Sequence, residues 1–288
     1  MVAQFLRLKL RLLANTLRRS PWQVVGIIIA LFYGLGAAVL AVSALIALRF
    51  ADVAIAATAV TILGSVLVLG FLIVPLAFGV DDTLDPRRFA LFGIPSSTLA
   101  GGLALAALIG VPALTIIVIA LAQTVTWSRG ALPELLAVLS AVVIIVTCVL
   151  GSRVTTSIAA FLLSSRRARE TTGFISIVVL VSLSPIAVIL ASLDWAKDGA
   201  AALAEIAHVA SWTPLGAVWA APADAALGND GAAFAKAAIG IAFAVILWFA
   251  WRALVAKMLV TPERESQARD EFGLGWFKRM PDNPTGAI

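Results

Sequence analysis

Residues Leu135 to Leu163 read LLAVLSAVVIIVTCVLGSRVTTSIAAFLL, a run with one charged side chain, Arg153. About 20 apolar residues suffice to cross about 30 Å of hydrocarbon as a helix. The run shows no alternation of period two, so it reads as a helix rather than a barrel strand. Arg153 sits in its inner half, where the side chain can snorkel to the interface or pair with another group.

Working outward, five more runs have the same character: Trp22–Leu48, Val53–Gly79, Leu99–Val125, Phe174–Leu193 and Ala232–Ala256. The expected fold is all-α, a polytopic membrane protein with six transmembrane helices over 22–48, 53–79, 99–125, 135–163, 174–193 and 232–256. The whole composition agrees. Of 288 residues, 61% are hydrophobic and 13% charged, against about 45–50% and about 25% in a soluble domain. Mean hydropathy is +1.04. Disorder needs the opposite balance. Pro75, Pro112 and Pro185 fall inside three of the runs and each can kink its helix. Gly26, Ala30, Gly34 and Ala38 recur at four-residue spacing, which offers a flat face for close helix packing.

The net charge is +5. The cations flank the apolar runs, so they report orientation rather than nucleic-acid binding. With the N-terminus inside, sixteen cations fall on the cytoplasmic side, from Arg7, Lys9 and Arg11 through Arg166, Arg167 and Arg169 to Arg279. Only Arg49, Arg129, Lys197 and Lys236 fall outside. The expectation is a multi-pass protein of the plasma membrane with both termini cytoplasmic. Trp22, Trp127, Trp195, Trp248 and Trp251 lie near span ends, where an aromatic belt is expected.

Three segments are not simple spans. Residues 1–21 alternate Phe5, Leu6, Leu8, Leu12 and Leu13 with Arg7, Lys9 and Arg11; they predict an amphipathic helix lying on the inner leaflet. Residues 194–230 are too apolar for a loop and too broken by Pro214, Pro222 and glycines for a span. They predict a short helix over Ala200–Ser211, then a re-entrant dip or second short helix to about Leu227, anchored at the outer interface by Trp212 and Trp219. Residues 257–288 form a polar cytoplasmic tail or linker.

Chemistry is sparsely supplied. One cysteine, Cys148, rules out an internal disulfide. One histidine, His208, and no His-Glu-x-x-His pattern leave a zinc protease unsupported. Asp81, Asp82 and Asp85 lack a second acidic cluster that would complete a metal site. No phosphate-binding loop is present, so ATP hydrolysis by that route belongs to another chain. No catalytic residue and no metal are expected here. The densest charged patch, GVDDTLDPRRFALFGIPSS from Gly79 to Ser97, falls on the cytoplasmic side. Its acids can cap a short helix with Pro86 in the first turn, leaving Arg87, Arg88, Phe89, Leu91 and Phe92 to meet a partner or to rest on the inner leaflet.

Val80 to Phe92, VDDTLDPRRFALF, is similar to a loop of an actinobacterial group of ABC-2 permeases, and Trp212 to Ala223, WTPLGAVWAAPA, is similar to their outer segment. With the six-span topology, the chain resembles the permease subunit of ABC-2 type exporters. The resemblance implies a second six-helix half, either the same chain continued, a homodimer or a heterodimer. It also implies a separate cytoplasmic ABC ATPase dimer that binds ATP and Mg, this chain holding neither. Asp81, Asp82, Asp85, Arg87, Arg88, Phe89 and Phe92 would form the loop that couples to the ATPase. Arg166, Arg167 and Arg169 would form a second cytoplasmic loop, and Trp212, Pro214, Trp219 and Pro222 the outer re-entrant segment. The transported substrate is not legible. An ATP-independent channel or secondary carrier is the alternative, weakened by the lack of midplane acids.

Overall fold

A computed structural model describes residues 21–78, 86–163 and 199–260. The expected N-terminal amphipathic helix, Asp81, Asp82, Asp85, the arginines 166, 167 and 169, the run 174–193 and residues 261–288 lie outside the described residues. Within them the chain is wholly α-helical: α1 (Pro21–Leu48), α2 (Val53–Phe78), a 3-10 helix (Pro86–Phe92), α3 (Ser96–Ala107), α4 (Val111–Thr126), α5 (Ala131–Leu163), α6 (Gly199–Ser211), α7 (Ala217–Ala226) and α8 (Asp230–Val260).

Three of these are long and apolar enough to cross a membrane, over Val53–Val74, Ala131–Ala159 and Asp230–Val260, and α3 with α4 makes a fourth if the bent pair is one crossing. In α1 the stretch Phe32–Leu48 is apolar but shorter. Their outer faces carry Phe32, Tyr33, Leu40, Leu63, Val66, Ile246 and Phe249, all exposed. Such a surface is costly in water and suits hydrocarbon. By length and composition these helices are consistent with a helical membrane protein.

The centre is α5. In its most apolar window 61% of residues are buried, against 22% in α2 and 28% in α8. Helices α2, α4, α7 and α8 all pack on it. One cluster, with Val60, Ile116, Trp127, Ile144, Cys148 and Trp219, fills the half of the bundle where α2, α5 and α8 begin. A second, with Leu99, Leu103, Leu150, Trp251 and Val255, fills the opposite half.

The run 99–125, expected as one helix, is two. Helices α3 and α4 meet at 77°. Pro112 has no N–H for the carbonyl of Leu108, and its ring would clash there. Helix α3 therefore closes on short bonds, from Leu108 N to Leu105 O and from Ile109 N to Ala106 O (both 3.2 Å). Helix α4 restarts with Leu114 N donating to Gly110 O at 2.9 Å. Gly34 approaches Val111 closely and Ala38 is buried, so the small-residue face of α1 packs on α4.

The C-terminal ends of α1 and α4 lie side by side and exchange caps. Helix ends leave carbonyls without partners and carry partial negative charge. Arg49, after α1, donates from Nη1 to the carbonyls of Val125 (3.2 Å) and Ser128 (3.0 Å) at the end of α4. Arg129, after α4, donates from Nη2 to those of Leu48 (2.6 Å) and Ala51 (2.9 Å) at the end of α1. Thr126 Oγ1 adds a buried bond to Leu45 O at 2.7 Å. This arginine end of the bundle is thereby tied across two turns of chain.

At the other end the tie is an indole. Trp251 of α8, 1% exposed, donates Nε1–H to Ala100 O of α3 at 3.1 Å. Trp127 is also fully buried. Both were expected in an interfacial belt; their rings face protein rather than the outside of the bundle. Replacing Trp251 with Phe should cost about 1 kcal/mol, read as a lowered Tm of the full chain in detergent with its helicity unchanged.

Candidate functional site

Two regions hold the residues singled out in the sequence. The first is the short 3-10 helix Pro86–Phe92, with Pro86 in its first turn; the residues expected to cap it lie outside the described ones. It packs on α8. Phe89 turns inward, half-buried against the cluster of Leu99, Trp251 and Val255, and Ile94 joins it. Phe92 faces outward, 70% exposed, with its ring 6.3 Å from that of Phe89. The expected three-residue apolar anchor is thus divided: Phe89 braces the bundle and Phe92 is on offer. Arg87 is half-buried. Arg153, on α5, is half-buried as well.

The second region is α6–α7, close to the expected bounds of two short helices. Helix α6 begins beside the start of α2: Ala200, Leu203 and Ala204 share a groove with Ala54, Ile55, Thr58, Ala59, Ile62 and Leu63. The following turn lies at Ser65, about halfway along α2, where Gly216 meets the Ser65 hydroxyl and the carbonyl of Ala210. Helix α7 then runs among α2, α5 and α8, its residues 217–223 all buried. Its last residues join Leu136, Ala233 and Ala237, near the starts of α5 and α8.

Helix α7 fits because its neighbours lack side chains. The Trp219 indole lies on Gly64 of α2, and Val218 lies on Gly240 of α8. A Cβ at either glycine would collide with them. Trp219 is 2% exposed and Pro222 is fully buried, which overturns the expectation that Trp219 anchors this segment at an interface. Trp212 remains 47% exposed and Pro214 is exposed.

Sequence reasoning missed the charge pair that holds α7. Lys236 Nζ lies 2.6 Å from Asp224 Oδ2, with side-chain exposures of 6% and 15%. It also stands 5.0 Å from the Trp212 ring, a cation–π distance. Lys236 was counted only as an outside cation. The available signal was its position, two turns inside α8, where a lysine without a partner is unfavourable. Elsewhere among the described residues the buried Gln123 amide, Thr147 hydroxyl and the indole N–H groups of Trp127 and Trp219 make no hydrogen bond. They belong to different parts of the bundle. Among the described residues no three His, Cys, Asp or Glu side chains converge on a metal-sized site.

Compared with known proteins, the chain matches no family model, no curated protein and no solved structure.

Removing one partner of a buried ion pair strands the other charge, at about 3–5 kcal/mol. Lys236→Met should therefore destabilise the chain strongly, and Lys236→Met with Asp224→Leu should recover most of the loss. A double-mutant cycle of Tm in detergent measures this; equal, additive losses would mean the pair is not coupled.

Proposed function

We propose that the chain is the permease subunit of an ATP-driven ABC-2 type exporter in the plasma membrane, with six spans, both termini cytoplasmic and α6–α7 as a re-entrant pair on the outer side. The observation that carries this reading is the course of α6–α7. Helices α2, α5 and α8 all begin at the arginine end; α6 starts there, the turn reaches the level of Gly64 and Ser65, and α7 returns. A segment that enters and leaves by one end fits a half-depth element at the exit of a path rather than a seventh crossing. The charge bias of the loops puts that end outside.

The division of work follows. This chain supplies half of a translocation path, completed by a second six-helix half. A separate ATPase dimer binds ATP and Mg and supplies the energy. The 3-10 helix supports the coupling role: Phe89 fixes it to α3 and α8 while Phe92 is left for contact. Force applied at Phe92 is then delivered to α8, the helix that also grips α7 through Lys236 and Gly240. Asp81, Asp82, Asp85, Arg87 and Arg88 would add charge recognition of the ATPase, and Arg166, Arg167 and Arg169 a second contact.

The test uses the full chain, co-purified with its ATPase and reconstituted in proteoliposomes. ATP hydrolysis should depend on the permease. Phe92→Ala and Arg88→Ala should each weaken ATPase binding about thirtyfold, the scale of an interface hot spot, with membrane insertion preserved. Gradient-driven flux by the purified chain without any ATPase would overturn the reading in favour of a channel or secondary carrier.

A further inference from the structure

Helices α1 and α2 are consecutive, joined by residues 49–52, yet they touch little, because α1 packs on α4. The space between them is a cleft of about 200 Å³ lined by Leu45 and Leu48 of α1, Leu63 and Gly64 of α2, Ile119 of α4 and Trp219 of α7. The carbonyl of Leu48, one of the lining residues, accepts from Arg129 Nη2. Arg49 is the next residue. Each guanidinium has five N–H donors. Arg49 spends Nη1 on carbonyls, and Arg129 spends Nη2 and Nε. Nε and Nη2 of Arg49 and Nη1 of Arg129 make no hydrogen bond among the described residues. No carboxylate there pairs with either arginine. Asp52, the nearest acid in sequence, accepts instead from Ala54 N at 2.8 Å.

Among the described residues, two half-exposed guanidiniums without a carboxylate therefore gather where α1 and α4 end, and one of them bonds the backbone of Leu48, which also lines the apolar cleft. We propose that this is a binding site for an anionic phospholipid, its phosphate on Arg49 and Arg129 and one acyl chain between α1 and α2. The apolar lining suits a hydrocarbon tail and the unspent N–H groups suit phosphate oxygens, for which arginine is the favoured donor. The proposal rests on membrane insertion and is independent of the exporter reading, so a failure of either leaves the other standing.

The test measures retention of dioleoylphosphatidylglycerol against dioleoylphosphatidylcholine on the delipidated full chain, by native mass spectrometry. The wild type should retain the anionic lipid about tenfold better, the gain expected of charge-assisted hydrogen bonds. Arg49→Gln should abolish that preference and Arg49→Lys should keep part of it. Ala44→Phe, which fills the cleft from its lining and leaves both arginines and their caps intact, should also abolish retention. This second variant guards against Arg49→Gln acting through misfolding. Equal retention of the two lipids would overturn the proposal. So would full retention by Ala44→Phe, or displacement of the lipid by free glycerol phosphate at equal concentration, since either would reduce the site to a surface charge contact.

Discussion

The Trp219 indole rests on the bare backbone of Gly64, and the placement of α7 follows from that contact. A ten-residue helix can enter a bundle of long helices only where the neighbours make room. Gly64 and Gly240 remove side chains on two sides, so Trp219 and Val218 occupy what would otherwise be helix surface. Close packing of this kind supplies dispersion contacts that hydrophobic sequestration cannot, because the lipid outside is as apolar as the protein inside. The Lys236–Asp224 pair then fixes the rotation of α7 against α8. Polar specificity sits on top of steric fit, and each would be weak alone.

The long apolar elements were legible because hydropathy and length are properties of a single segment. The bounds of α2, α5 and α8 lie within a few residues of the expected runs, and the short helices α6 and α7 match the expected pair. What escaped depends on pairs of segments. A tryptophan near a span end reads as an interfacial anchor exposed to lipid, yet Trp127 and Trp251 are buried against protein, as is Trp219 of the segment 194–230. The difference lies in partners: the carbonyl of Ala100 for one, a glycine backbone for another. Pro112 signalled a kink in the run 99–125 but not a corner of 77°. Lys236 was visible as a charge, while its acid lies on a different helix.

The same chemistry serves two purposes among Lys236, Arg49 and Arg129. Lys236 is sunk in the bundle and neutralised by a carboxylate, so its charge is spent on holding α7. Arg49 and Arg129 neutralise helix ends instead. Carbonyl dipoles carry fractional charge, so a guanidinium that caps them keeps most of its own. A positive-inside count treats all three residues as equals, although only the arginines leave a field at the rim.

The break between α3 and α4 separates two mechanical layers. Helix α3 is moored to α8 by Trp251, and α4 is moored to α1 by the exchanged arginines. A straight rod spanning both layers would carry any tilt of one into the other as a lever. With a corner of 77° at residues 108–110, a rotation of α3 about its own axis becomes a swing across the axis of α4. Such a joint would work as a gear, changing the direction of a motion rather than its size, with the moorings at the two faces of the bundle left in place.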